Sequence, residues 1–270
     1  MVIAGAGASW WVGSELVKPA QHPVTLPSDF PARRLTIEGP GRAIAGWWLD
    51  RGEHAPAVLL LHAIRADRSS MVSRARLLVR HGFSVLLIDL QGHGETPGLA
   101  ITLGRRESAD AHAALEWLRR QRSSSRIGVI GCSLGGAAVL LGAQPPGVDA
   151  AVFEAVYPRV GRAIENRIRI RLGPLAPVLT PLLLVQLRPR LGMSASDLEP
   201  IGSIGRVGAP VLIVAGSDDR HTTLDESREL FQAAAQQRSC GWFRERSTRI
   251  FCRSIRSATK RPSSAFSRDT

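Results

Sequence analysis

A chain of 270 residues, 44% hydrophobic and 21% charged, holds one large domain or two small ones. It has enough apolar surface to fold without disulfide or metal staples. Its 26 Gly and 17 Pro are too few for a low-complexity or collagen-like chain, so disorder, fibre and multi-span membrane protein are excluded for the whole. The net charge of +12 is uneven: residues 237–270 carry nine Arg or Lys against Glu245 and Asp269, a net of +7 that leaves an ordinary +5 for the rest. No zinc-finger spacing or aromatic-interleaved basic stripe accompanies that charge, so no nucleic-acid partner is expected. Cys132, Cys240 and Cys252 form neither a CxxC pair nor a disulfide framework, and no metal or cofactor is expected.

Residues 1–18 form an apolar N-terminal segment, uncharged as far as Ser14 and shorter than the roughly 20 residues that span a bilayer. Two readings stay open: a helix docked on the body, or the stub of a membrane anchor through residues 1–17 with Trp10 and Trp11 at the headgroup level. The chain is accordingly cytoplasmic or membrane-associated. Residues 19–33 are a Pro-rich spacer. Arg34–Glu38 and Ala43–Leu49 then read as strands around the turn Gly39-Pro40-Gly41. Ala57–His62 is a continuous apolar run, which predicts a strand buried on both faces. Met71–Arg80 has helical spacing and ends at Gly82. Ser84–Asp89 is a second buried strand, and residues 104–121 form a helix with Ala111, Ala114, Leu115 and Leu118 on one face. Arg126–Gly131, Ala150–Ala155 and Pro210–Ala215 are further buried strands, with a small-residue helix over Leu134–Ala143. A capping box from Thr223 to Glu226 opens a helix after the last of them.

Strand–helix alternation of this kind predicts a mostly parallel sheet with helices on both faces. The insert at about 158–205 breaks the rhythm. Its apolar run 172–187 carries Pro174, Pro177 and Pro181, which argues against a straight span. It reads as an amphipathic helical cap flanked by Arg167, Arg169, Arg171, Arg188 and Arg190.

The chemistry concentrates in Gly131-Cys132-Ser133-Leu134-Gly135-Gly136, directly after a buried strand and opening a helix. That is the context of a Gly-x-Ser-x-Gly nucleophile elbow. Gly131 and Gly135 let the chain turn sharply, Ser133 projects above the sheet as nucleophile, and the Leu134 N–H at the helix start can stabilise an oxyanion. By position after the strand ending at His62, the Ile64 N–H completes that oxyanion hole, while His62 braces the loop. Asp219, in Gly216-Ser217-Asp218-Asp219, ends a strand at the edge of a parallel sheet where catalytic groups gather. Asp89 also ends a strand, but Gly92 and Gly94 there indicate a structural turn.

The segments LLLHAIRAD, VLLIDLQGHGET, IGVIGCSLGG and DLEPIGSIGRVGAPVLIVAGSDDRHT resemble the alpha/beta-hydrolase family, in particular its serine-aminopeptidase-like and monoacylglycerol-lipase-like branch. The resemblance spans residues 34–236. It implies an eight-strand sheet with a helical cap, and hydrolysis of an ester, thioester or amide of a small-molecule or lipid-like acyl substrate through an acyl-Ser133 intermediate. In it Asp219 is the triad acid, and a His is expected after it.

Two departures from the family stand out. Ala63 replaces the usual Gly of the oxyanion loop. No His follows His221, which is only a secondary candidate for the base because it lies two residues from Asp219. Residues 237–270 offer no clear strand, closing helix or Gly-x-x-His loop, so the eighth strand and closing helix are expected to be missing and the tail to be disordered or out of frame. On this reading the chain is a serine hydrolase impaired for want of its base; the alternative is a catalytically inactive hydrolase-fold binding protein.

Overall fold

The computed structural model describes residues 2–122, 125–234 and 238–243. In chain order the elements are α1 (Val2–Val17), β1 (Ala20–Gln21), β2 (Arg33–Gly39), β3 (Arg42–Leu49), β4 (Ala57–Leu61), α2 (Val72–Arg80), β5 (Ser84–Ile88), β6 (His93–Gly94) and α3 (Glu107–Gln121). There follow β7 (Ile127–Cys132), α4 (Leu134–Leu140), β8 (Ala150–Glu154), α5 (Val160–Leu172), α6 (Ala176–Leu184), α7 (Leu187–Leu191), β9 (Val211–Gly216), α8 (Leu224–Ala233) and β10 (Arg238–Phe243). Eight strands make one sheet in the order β10-β9-β8-β7-β4-β5-β3-β2. Only β3 runs against its neighbours.

The continuous apolar runs are central strands because both faces of the sheet are covered. Every residue of β4 and of β5 is buried. The two-residue period divides them: Leu59, Leu61, Leu86 and Ile88 enter the core beneath α3 and α4, while Val58, Leu60, Val85 and Leu87 pack against Met71, Ala75 and Leu78 around α2. The paired β2 and β3 hairpin, the helix positions and the Thr223–Glu226 capping box all follow the sequence expectation. α3 begins at Glu107 rather than 104. The buried Glu107 carboxylate turns back to accept hydrogen bonds from the Thr102 and Gly104 N–H groups, which holds residues 102–104 outside the helix.

The expectation of a missing eighth strand is corrected. Arg238–Phe243 pairs in parallel with β9 along its whole length. Without it, β9 would present a row of unpaired N–H and C=O groups, and pairing that row is what a chain segment of modest strand propensity gains by docking there. The expected bare edge at β9 is therefore filled. The closing helix, the remainder of the 237–270 tail and its reading frame lie outside the described residues.

The apolar N-terminal segment forms α1 and docks on the cap. Gln186 donates to Ser9 Oγ at 2.8 Å, Arg190 donates to Ser14 Oγ at 2.8 Å, and the Arg190 guanidinium stacks on Trp10 at 3.9 Å. No described helix is long and apolar enough to cross a membrane.

Beneath the carboxyl edge, polar groups brace the loops after β4 and β5. Asp89 is buried and accepts from the N–H and guanidinium of Arg68 and from the Glu95 N–H at 2.8 Å, the structural role expected of it. A side chain at Gly94 would strike the Asp89 carboxylate. His62 accepts from the Leu90 N–H at 3.1 Å through Nε2 and meets the Ala63 carbonyl at 2.8 Å through Nδ1, so it is a neutral brace. Ala63 is unstrained; the left-handed conformation in this loop belongs to Arg65, with φ 60°.

Three glycines let α4 lie against the sheet. A Cβ on Gly131 would stand 2.5 Å from Gly136 Cα, and one on Gly135 would stand 2.5 Å from the Leu61 carbonyl oxygen. Both neighbours are backbone and cannot rotate away. Gly135→Ala is therefore expected to destabilise the fold by about 2 kcal/mol or more, read as a lowered urea midpoint.

Burial holds the imidazoles of His62 and His93 down to about 4, with Asp67 and Arg68 acting on the first and His62, Asp89 and Arg65 on the second. On unfolding each returns to about 6.5, so below that pH the unfolded chain takes up protons that the folded one refuses. Their contribution is whole above pH 6.5 and is lost as pH falls toward 4. Asp89, Asp110 and Glu107 have raised pKa values through burial and oppose this slope, so the measurement is a difference. The unfolding free energy of the native protein minus that of His93→Gln is expected to rise steadily from pH 4.5 to 6.5 and then to level off.

Candidate active site

Ser133 sits between β7 and α4 with φ 47° and ψ −105°, a region that side-chain-bearing residues rarely enter. Its N–H donates to the Glu154 carbonyl at 2.8 Å, and its carbonyl accepts from the Ala137 N–H at 3.0 Å, so both sides of the strained residue are fixed. Cys132, one residue earlier, is a buried thiol pushed up to about 11, first by burial and then by the charge of Glu154. It remains protonated at neutral pH, leaving the serine hydroxyl as the group available for attack at this turn.

β8 lies between β7 and β9, and all three run parallel, so the segments that leave them emerge at one edge. The end of β8 ties the two flanking turns together. The Glu154 carbonyl takes the Ser133 N–H. At the next residue Ala155, itself left-handed at φ 50°, the N–H donates to the Val214 carbonyl at 2.9 Å and the carbonyl accepts from Thr222 Oγ1 at 3.0 Å. The Glu154 carboxylate is held by a two-nitrogen pair with Arg74 of α2, with Nε at 2.8 Å.

The loop after β9 is folded around Asp219. Its N–H donates to the Gly216 carbonyl at 3.3 Å, and its Oδ1 accepts from the N–H groups of His221 at 2.7 Å and Thr222 at 3.1 Å. Asp219 thus stands two strands from Ser133 at the same edge, with β8 between them. Its charge acts on both the Cys132 thiol and the Arg167 guanidinium. His221 reaches Asp219 through its backbone; its imidazole belongs to an exposed residue.

Ser133, Leu134 and Ile64 line one cavity, with about 680 Å³ of empty space including its open mouth. Val160, Ala163 and Ile164 of α5, Leu183 of α6 and Leu187 of α7 roof it, and Leu16 and Val17 of α1 close a side. The cap insert is therefore a lid of short helices above Ser133, with Pro181 inside α6. Asp219 and His221 do not line this cavity. Sequence reading overlooked Glu154, although a carboxylate ending the apolar run AVFE was a usable signal. It named Arg167 only as one of the arginines flanking the cap; the structure puts that residue in the cavity wall. Among the described residues no cluster of His, Cys, Asp or Glu could hold a metal.

Residues 41–160 match the model of the X-Pro dipeptidyl-peptidase (S15) family. The uncharacterised protein Rv2307c of Mycobacterium tuberculosis is 33% identical over 226 residues, covering 81% of this chain and 73% of its own length. Human protein ABHD12B is 26% identical over 66% of this chain and 50% of its own. In structure, a Pyrococcus furiosus esterase, Pf2001, superposes with a TM-score of 0.70 at 18% identity, covering 90% of this chain and 95% of the esterase. With the eight-strand mixed sheet, the strained serine turn and the cap in place, this likeness settles the lineage: the chain belongs to the alpha/beta-hydrolase family.

Proposed function

We propose that this hydrolase cleaves an ester, thioester or amide by attack of Ser133, through an acyl-Ser133 intermediate. The observation that carries the reading is a serine held at φ 47° between a buried strand and a helix start, at the floor of an apolar cavity. Such strain is retained where it aims a side chain. In the proposed reaction Ser133 Oγ adds to the substrate carbonyl and the oxygen of the tetrahedral intermediate accepts from the backbone N–H groups of Leu134 and Ile64. Leu134 opens α4, where N–H groups have no partner within the helix. Asp219 is the triad acid, which orients a base and stabilises its charged form.

The base is the weak link. The seven histidines are His22, His54, His62, His81, His93, His112 and His221, so none follows the β9 loop. His62 and His93 are occupied as buried braces, and His221 is a secondary candidate at an exposed position. Without a proton acceptor the serine hydroxyl is a poor nucleophile, and deacylation lacks a base to activate water. The chain is expected to hydrolyse p-nitrophenyl butyrate at least about a hundredfold more slowly than a version carrying a His-bearing family C-terminus. Its remaining turnover should vanish in Ser133→Ala. Turnover unchanged by Ser133→Ala would overturn the reading, and its absence from both versions would favour the inactive binding protein.

A lipid-like acyl substrate suits the apolar walls, and the outer face of the lid supports contact with a lipid surface. Trp11, Val178 and Val185 are 65%, 68% and 69% exposed, and Trp10, Leu175 and Leu182 are about half exposed beside them. Arg169, Arg171 and Arg188 are exposed nearby. An apolar plateau fringed by arginine matches the chemistry of an anionic interface. The protein is expected to co-sediment with phosphatidylglycerol vesicles and poorly with phosphatidylcholine, and Val178→Asp with Val185→Asp should abolish this. Equal binding by the double variant would overturn the contact.

A further inference from the structure

Of the residues lining the Ser133 cavity, five besides Leu134 and the aliphatic wall carry polar side chains: Ser133, Tyr157, Arg167, Gln186 and Arg190. Three of them have their donors committed. The Tyr157 hydroxyl donates to the Leu103 carbonyl at 2.5 Å. Gln186 Nε2 is divided among the Leu182 carbonyl and both oxygens of Ser9, and its Oε1 accepts from Arg190. Arg190 uses all three nitrogens, on Gln186, Ser14 and the Trp10 carbonyl, while its face lies on the Trp10 ring. These two residues are the clasp that holds α1 to the cap. Ser133 is the proposed nucleophile.

Arg167 is different. It lies on α5, half-buried, and among the described residues its guanidinium donates once, from Nη1 to the Ala163 carbonyl one turn back at 2.8 Å. Among the described residues it makes no ion pair, although 14 pairs link other Arg or Lys side chains to carboxylates. Asp219 and Glu226 act on it only through space, and burial outweighs them, drawing its pKa below the usual value. Its remaining guanidinium donors belong to a residue that lines a largely apolar wall, so an anion entering the cavity meets charge-bearing donors that no described group has taken. Its planar fork matches a carboxylate or a phosphate.

We propose that Arg167 is a specificity-determining residue that binds an anionic group, carboxylate or phosphate, on the substrate. The apolar wall takes the acyl chain. This rests on Ser133 marking the reactive end of the cavity, and it narrows the substrate class to acyl compounds bearing a negative charge close to the cleaved bond. The lid thereby supplies both sides of recognition: Ile164, Leu183 and Leu187 for the chain, and Arg167 for the charge.

The test is a binding measurement, independent of turnover. Decanoate, decyl phosphate and decanol are titrated calorimetrically into the full chain and into Arg167→Gln and Arg167→Lys. At least one of the two anions is expected to bind about tenfold or more tightly than decanol. Arg167→Gln should bring it to the affinity of decanol while decanol binding is unchanged, which also shows that the variant is folded. Arg167→Lys should keep part of the preference. Whichever anion loses more in Arg167→Gln identifies carboxylate or phosphate. Equal affinity for all three ligands in the native chain, or a preference that survives Arg167→Gln, overturns the proposal. A preference for anions without any Ser133-dependent ester turnover would sustain it and defeat the hydrolase reading; turnover without the preference would do the reverse.

Discussion

The last residue of one strand and the residue that follows it hold this site together. Glu154 and Ala155, at the carboxyl end of β8, bond leftward to Ser133 and rightward to the β9 loop that carries Asp219. Neither neighbour is held there by its own strand alone. Ser133 is in a strained conformation that its surroundings must impose, and the Asp219 loop is a run of turns. A serine at φ 47° and an alanine at φ 50°, side by side on adjacent strands, cost on the order of 1–3 kcal/mol each. That cost is offset by the continuous ladder beneath them and by the Arg74 clamp on the Glu154 carboxylate. Breaking a largely buried pair of this kind leaves an uncompensated charge, so α2, on the opposite face of the sheet, contributes to holding a turn that it never touches.

The lid follows a different physical logic from the sheet. The sheet is bound by backbone ladders and two apolar layers, which fix it in detail. The lid is a set of short helices interrupted by Pro174, Pro177 and Pro181, held to the rest through side chains such as Gln186 and Arg190. The N-terminal helix bonds to this upper layer through Gln186 and Arg190, to the Ile101 N–H through the Val17 carbonyl, and to Arg65 of the loop after β4 through the Glu15 carbonyl. Removing α1 would open one side of the cavity at Leu16 and Val17 and strip the partners from two cap residues at once.

How much of this was legible in the sequence depended on whether local chemistry decided the outcome. The seven strands from β2 to β9 that belong to the large sheet stand as uniform or alternating apolar runs, so the fold could be read from them. The serine turn was legible for the same reason: glycines at 131 and 135 are demanded by backbone contacts closer than any side chain allows. β10 was not legible, because it exists to satisfy the edge of β9 and not through its own composition. Arg167 was legible only as a charge flanking the cap, because the rotation of a cap helix over a cavity is set by packing from other elements. Glu154 needed the knowledge of which strand lies between β7 and β9, a fact of topology.

Fold and catalysis are separable in this chain. The sheet reaches eight strands through Arg238–Phe243, so the proposed nucleophile, oxyanion groups and acid rest on a sheet paired on both sides of them. A base contributes little to that scaffold: a triad His is held on a loop by one carboxylate, and its loss removes a proton acceptor without removing core. Asp219 illustrates the point, since its Oδ1 is satisfied by the N–H groups of its own loop and would keep its position whether or not an imidazole stood beside it. A chain that retains the strained serine has kept a cost that folding alone does not require, which is why the serine turn, and not the sheet, carries the functional argument.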